Sequence, residues 1–100
     1  MREVKWTETA ELTAQHYLDY LAERNPPAAK RASDEIRAVS RQLNYVLTPG
    51  RLSLRWPGFR ELSLRRWKKI IVFKILPDRI SVVNFYDTRQ DLDAVDPLTE

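Results

Sequence analysis

Apolar side chains change their spacing once along this chain. Up to residue 47 they recur every three or four positions, and from residue 52 they recur every second position, with Thr48-Pro49-Gly50 between. The first spacing belongs to helices that bury one stripe, the second to strands with two faces. One short strand candidate, Val4-Lys5-Trp6, precedes the helices. Helices segregated from strands argue an α+β fold, here a small antiparallel β-sheet with an N-terminal antiparallel helical hairpin packed on one face.

Thr7 suits a helix N-cap, with Glu8 and Glu11 near the positive end of the dipole. Ala10, Ala14, Tyr17, Leu18, Leu21 and Ala22 then form the buried stripe of a first helix over 8–24. His16 falls beside this stripe and reads as a surface or boundary residue. Asn25-Pro26-Pro27 ends that helix and starts the next, because proline is excluded from a helix interior but favoured at its first position. The second stripe runs through Ala29, Ala32, Ile36, Val39, Leu43, Val46 and Leu47, predicting a helix over 26–47. So short a connection makes the two helices antiparallel neighbours.

In the second half, Leu52 and Leu54 alternate with Ser53 and Arg55. Pro57-Gly58 marks a turn. Phe59 to Leu64 reads as a strand, and Ile70 to Leu76, apolar on both faces except at Lys74, reads as a central one. Pro77-Asp78 turns the chain into a last strand over 80–85. Arg60 and Glu61, as strand neighbours, point to opposite faces. Trp56 reads as a cap on the core and Trp67 as exposed. Residues 86–100 read as a polar, acidic tail on a single domain spanning 1–100.

Composition closes off several chemistries. There is no cysteine and a single histidine, so thiolate and imidazole metal sites are not expected, and no cofactor is expected either. No apolar run reaches the roughly 18 residues of a membrane helix, and the N-terminus lacks a signal peptide's apolar core; the expected location is cytoplasmic. The net charge of +3 is unevenly spread. Residues 51–79 hold nine basic and two acidic side chains, whereas residues 80–100 hold one basic and five acidic. A localised basic sector suits an acidic or polyanionic partner.

Several stretches together resemble a known family. They are Trp6-Thr7-x-x-Ala10, the hairpin from Tyr17 to Ala29, Pro49-Gly50-Arg51, Gly58-Phe59-Arg60-Glu61-Leu62, Ile70 to Ile75, Ile80-x-Val82-Val83-x-Phe85, and Tyr86-x-x-Arg89-Gln90. In this order they resemble the ParE/RelE superfamily of toxins from bacterial type II toxin–antitoxin modules, nearer the ParE-like branch. The resemblance covers about residues 3–91 and implies a βααβββ fold. It implies a growth-inhibiting toxin neutralised by a cognate antitoxin whose C-terminal segment wraps it. For the ParE-like branch it implies binding and poisoning of DNA gyrase without catalysis. For the RelE-like branch it implies ribosome-dependent mRNA cleavage. A non-toxic nucleic-acid-binding or adaptor domain is a third reading.

Cleavage through a 2′-hydroxyl needs a base, an acid and stabilisation of the phosphorane charge. Arg51, Arg55, Arg60 and Arg89 stand where RelE-like members keep cationic catalytic residues, but arginine is a poor base. The late tyrosine of those members has no counterpart in Gln90-Asp91-Leu92-Asp93-Ala94-Val95. No catalytic residue is therefore expected. Arg60, Arg65, Arg66, Trp67, Lys68, Lys69 and Arg89 are the expected partner-binding residues.

Overall fold

The computed structural model describes residues 3–43 and 50–88. The helical half starts at Thr7. Its hydroxyl accepts a hydrogen bond from the Ala10 amide (3.2 Å) and donates one to the Val83 carbonyl (3.2 Å). One side chain thus caps α1 (Glu8–Arg24) and ties its first turn to the last strand, β5 (Arg79–Asp87). The Thr7 amide adds a 2.9 Å bond to the Val82 carbonyl.

Asn25 serves both helices. Its amide donates to the Leu21 carbonyl, closing α1, and its Oδ1 accepts from the Ala28 amide (3.1 Å), opening α2 (Pro26–Gln42). The expected end at residue 47 is not reached: Leu43 caps α2, and Val46 and Leu47 lie outside the described residues. The close-packed alanines are Ala10 and Ala14 on α1 with Ala28 and Ala32 on α2. Ala22 is exposed and Ala29 only half-buried; both lie in the turns that adjoin the connection.

The described strands form one five-stranded sheet in the order β1-β5-β4-β3-β2. β1 is Glu3–Trp6, β2 Arg51–Leu52, β3 Arg60–Leu64 and β4 Lys69–Ile75. β2, β3, β4 and β5 pair antiparallel. β1 instead lies parallel to β5, with Glu3 opposite Arg79 and Trp6 opposite Val82. The sheet is therefore mixed. A parallel neighbour needs a long crossover, and the helical hairpin with the three strands after it provides one.

The core has two layers. On the helix side, Ile71 and Phe73 of β4 and Ile80, Val82 and Phe85 of β5 meet Ala10, Ala14, Ile36 and Leu43. On the other side, Ile70, Val72, Val83 and Tyr86 meet Phe59, with Trp56 packed at the edge. β4 is central and apolar on both faces, as its sequence requires. Each large side chain fully buried here contributes about 1.5–3 kcal/mol.

β5 serves both layers through an irregularity. The register with β4 shifts between Val72 and Phe73, leaving Val83 as an extra residue. Val82 faces the helices, Val83 the other side, and the bulge restores Phe85 to the helix side. β5 also runs to Asp87, so Tyr86 and Asp87 belong to the sheet rather than to the expected tail. Among the described residues, no helix is long and apolar enough to cross a membrane.

Candidate partner-binding surfaces

β3 divides the basic sector in two. It begins at Arg60 and ends four residues on, at Leu64, a rise of roughly 13 Å. Arg51, Arg55 and Arg60 gather at its start. Arg65, Arg66 and Lys68 follow its end. Arg89 lies outside the described residues.

The first end is built on Glu61. Its carboxylate is buried on the face of β3 that turns away from the helices, level with Val72. Such a group needs several hydrogen bonds to be tolerated. Arg51 Nη2 donates to Oε1 at 3.1 Å and Ser53 Oγ to Oε2 at 2.8 Å. Ser53 Oγ in turn accepts the Trp56 amide at 3.1 Å, and the Ser53 amide reaches the Phe59 carbonyl at 2.9 Å. This network shapes the 53–59 loop and brings Trp56 over Tyr86, ring centroids 5.5 Å apart. Trp56 is a half-buried cap on the second apolar layer, in keeping with its sequence reading.

Arg60 points to the other face, as alternation requires, and its Nη2 donates to the Gly50 carbonyl at 3.4 Å. Gly50 has φ +64°, and a Cβ there would run into the Glu61 carbonyl oxygen. Only glycine fits this crossing of backbones.

At 52–54 it is the polar residue, not the leucines, that turns inward. Ser53 is buried, while Leu52 is 66% and Leu54 97% exposed. Glu61 causes this, since pairing Arg51 with Glu61 across β2 and β3 turns Ser53 inward to the carboxylate. The two leucines and Arg51, Arg55 and Glu61 line an open recess of about 710 Å³ at the outer edge of the sheet.

The second end is the connection from β3 to β4. Arg65-Arg66-Trp67 makes one 3₁₀ turn, and Lys68 then takes a left-handed conformation, φ 55° and ψ 45°. A helical turn closed by a left-handed residue is a common hairpin connection. The Lys68 carbonyl accepts the Thr88 amide at 2.8 Å. Trp67 is not an exposed anchor: it is half-buried against the helix-side core, and its Nε1 donates to Glu35 Oε2 of α2 at 2.6 Å. Lys69 is turned inward, 3.3 Å from Asp87 and 4.3 Å from the Tyr17 ring centroid. Arg65, Arg66 and Lys68 are exposed.

Around Arg51 and Arg55 the lining carboxylate is Glu61, whose oxygens are engaged by Arg51 and Ser53. His16 sits elsewhere, on α1, in a recess of about 430 Å³ with Thr13, Tyr17, Tyr20, Lys69 and Asp87. Tyr86 is buried in the second apolar layer. The described residues contain no group of three metal-ligating side chains.

The profile of the family described as ParE toxin of type II toxin-antitoxin system, parDE, matches residues 4–92. The chain belongs to the ParE toxin family. No curated protein matches it in sequence. A similar solved structure is a chromosomal ParDE toxin–antitoxin system from P. aeruginosa, 24% identical, with TM-score 0.69, covering 87% of this chain and 96% of that one. The likeness extends to the fold. In this ParE-family chain, sequence reasoning singled out the arginines but passed over Ser53, Glu35, Leu52 and Leu54. The signal that could have found Ser53 is Glu61 itself, since a carboxylate inside an apolar strand needs hydrogen-bond donors.

Proposed function

We propose that this toxin arrests growth by binding DNA gyrase, without catalysis of its own, and that a cognate antitoxin whose C-terminal segment wraps the toxin neutralises it. The observation that carries the reading is the edge strand β2 and the loop that follows it, where Leu52 and Leu54 project beside Arg51 and Arg55. Two exposed leucines among cations form an apolar centre with a charged rim, the composition of a protein-docking surface. Membership of the ParE family supports gyrase as the protein docked. A groove of about 480 Å³ between the helices, apolar at Trp6, Leu12, Ala14, Leu18 and Ile36 and polar at Glu11, Gln15, Ser33 and Arg37, suits an amphipathic antitoxin segment.

Supercoiling by purified gyrase in the presence of the toxin tests this directly. Inhibition is expected, with translation in a purified system unaffected. Site-specific mRNA cleavage together with normal supercoiling would replace the proposal with the ribonuclease reading.

A further inference from the structure

The loop that joins β3 to β4 differs in kind from the leucine-bearing edge. Arg65, Arg66 and Lys68 are exposed, and among the described residues none of the three side chains makes a hydrogen bond or ion pair. The neighbouring Lys69 is already neutralised by Asp87. Trp67 is held in by Glu35, so its indole edge is engaged and its ring lies against the core. Glu35 also fixes the loop against α2. Arg31 stands one turn before Glu35 on that side of the helix, exposed and likewise without an ion pair. The Trp67–Glu35 bond thus sets Arg65, Arg66 and Lys68 beside the face of α2 that carries Arg31; among the described residues the nearby carboxylates are Glu35, engaged by Trp67, and Asp87, engaged by Lys69.

Among the described residues this surface has no exposed apolar anchor. Protein interfaces concentrate binding energy in buried aromatic or aliphatic anchors, and single-stranded nucleic acids are bound through stacked aromatics. Neither is offered here. Exposed guanidinium and ammonium groups alone suit closely spaced phosphates, which they contact without reading bases. We propose that Arg31, Arg65, Arg66 and Lys68 form a sequence-independent site for the phosphate backbone of duplex DNA. It lies at the opposite end of β3 from the protein-docking edge and does not depend on the identity of the protein bound there.

Fluorescence anisotropy of the full chain with a labelled 20-base-pair duplex tests the proposal. Four phosphate contacts predict an affinity loss of roughly 100-fold between 50 and 200 mM salt. Reversing two charges in R65E/R66E is expected to weaken binding at 50 mM salt by more than tenfold. The double variant K5E/R79E, with the same change in net charge at other strands, is expected to change it less than threefold. Thermal melts establish that both variants are folded. Absence of binding at 50 mM salt, equal losses in the two variants, or displacement of DNA by polyglutamate at matched charge concentration would overturn the proposal. The last outcome would assign the loop to an acidic protein instead.

Discussion

The Ser53 hydroxyl donates a 2.8 Å hydrogen bond to the buried Glu61 carboxylate, and the same oxygen accepts the Trp56 amide at 3.1 Å. One hydroxyl thus satisfies a charge in the sheet and folds the loop beside it. Ser53→Ala removes both bonds and leaves a buried carboxylate oxygen short of a donor. The expected cost is about 1–3 kcal/mol, read as a lower midpoint in urea. A loss below about 0.5 kcal/mol would mean that Arg51 alone suffices for Glu61.

Gly50 and Gly58 both have positive φ, +64° and +89°, but different surroundings. A Cβ at Gly58 meets nothing within 4 Å, whereas at Gly50 it meets backbone. Gly58→Ala should cost only the conformational term, about 1–2 kcal/mol. Gly50→Ala should cost clearly more, because the β2–β3 pairing must open. Comparing the two melting temperatures checks this; equal shifts would contradict it.

Trp67 and Glu35 hold the β3–β4 connection to α2 through a 2.6 Å bond. Hydrogen bonds to charged groups contribute about 1.5–3 kcal/mol. Trp67→Phe keeps most of the apolar packing and removes the donor. In a double-mutant cycle with Glu35→Ala, which removes the acceptor, a coupling of about 1 kcal/mol or more is expected. Additive losses would show that the loop is held by packing alone.

Leu54 is almost wholly exposed, so Leu54→Glu should leave stability within about 0.5 kcal/mol of the parent. Gyrase inhibition should nonetheless weaken by more than about tenfold, the loss expected of a central anchor. Unchanged inhibition would remove the β2 edge from the docking surface.

Much of this architecture was legible beforehand. The Thr7 cap, the shared Asn25 cap and the two-sided β4 are local signals, fixed by side-chain chemistry within a few residues. The bounds of α1 follow from them. The parallel placement of β1 was not legible, because four residues carry no sign of which strand they join or in which direction. The inward turn of Ser53 was hidden for a related reason: a distant carboxylate, Glu61, outweighs the local alternation of leucine with polar residues. Trp67 reads as exposed because basic residues surround it in sequence, yet Glu35 of α2 reaches its indole from 32 positions away. The strand between the two halves of the basic sector was read from the sequence, but not what each half packs against: Glu61 and Ser53 at one end, Glu35 of α2 at the other.

The pairing of Glu3 with Arg79 sets a schedule for biosynthesis. β1 is made first among the strands, yet its neighbour is made last, and β4 also needs that strand to become central. At 5–20 residues per second, a ribosome takes on the order of 4–15 s to go from one to the other. Until β5 is made, the emerging polypeptide lacks the strand that joins β1 to the rest of the sheet. A product cut short before Arg79 lacks the strand that joins its two ends. Toxicity should accordingly be all-or-none in chain length, with abortive translation products harmless to the cell that makes them.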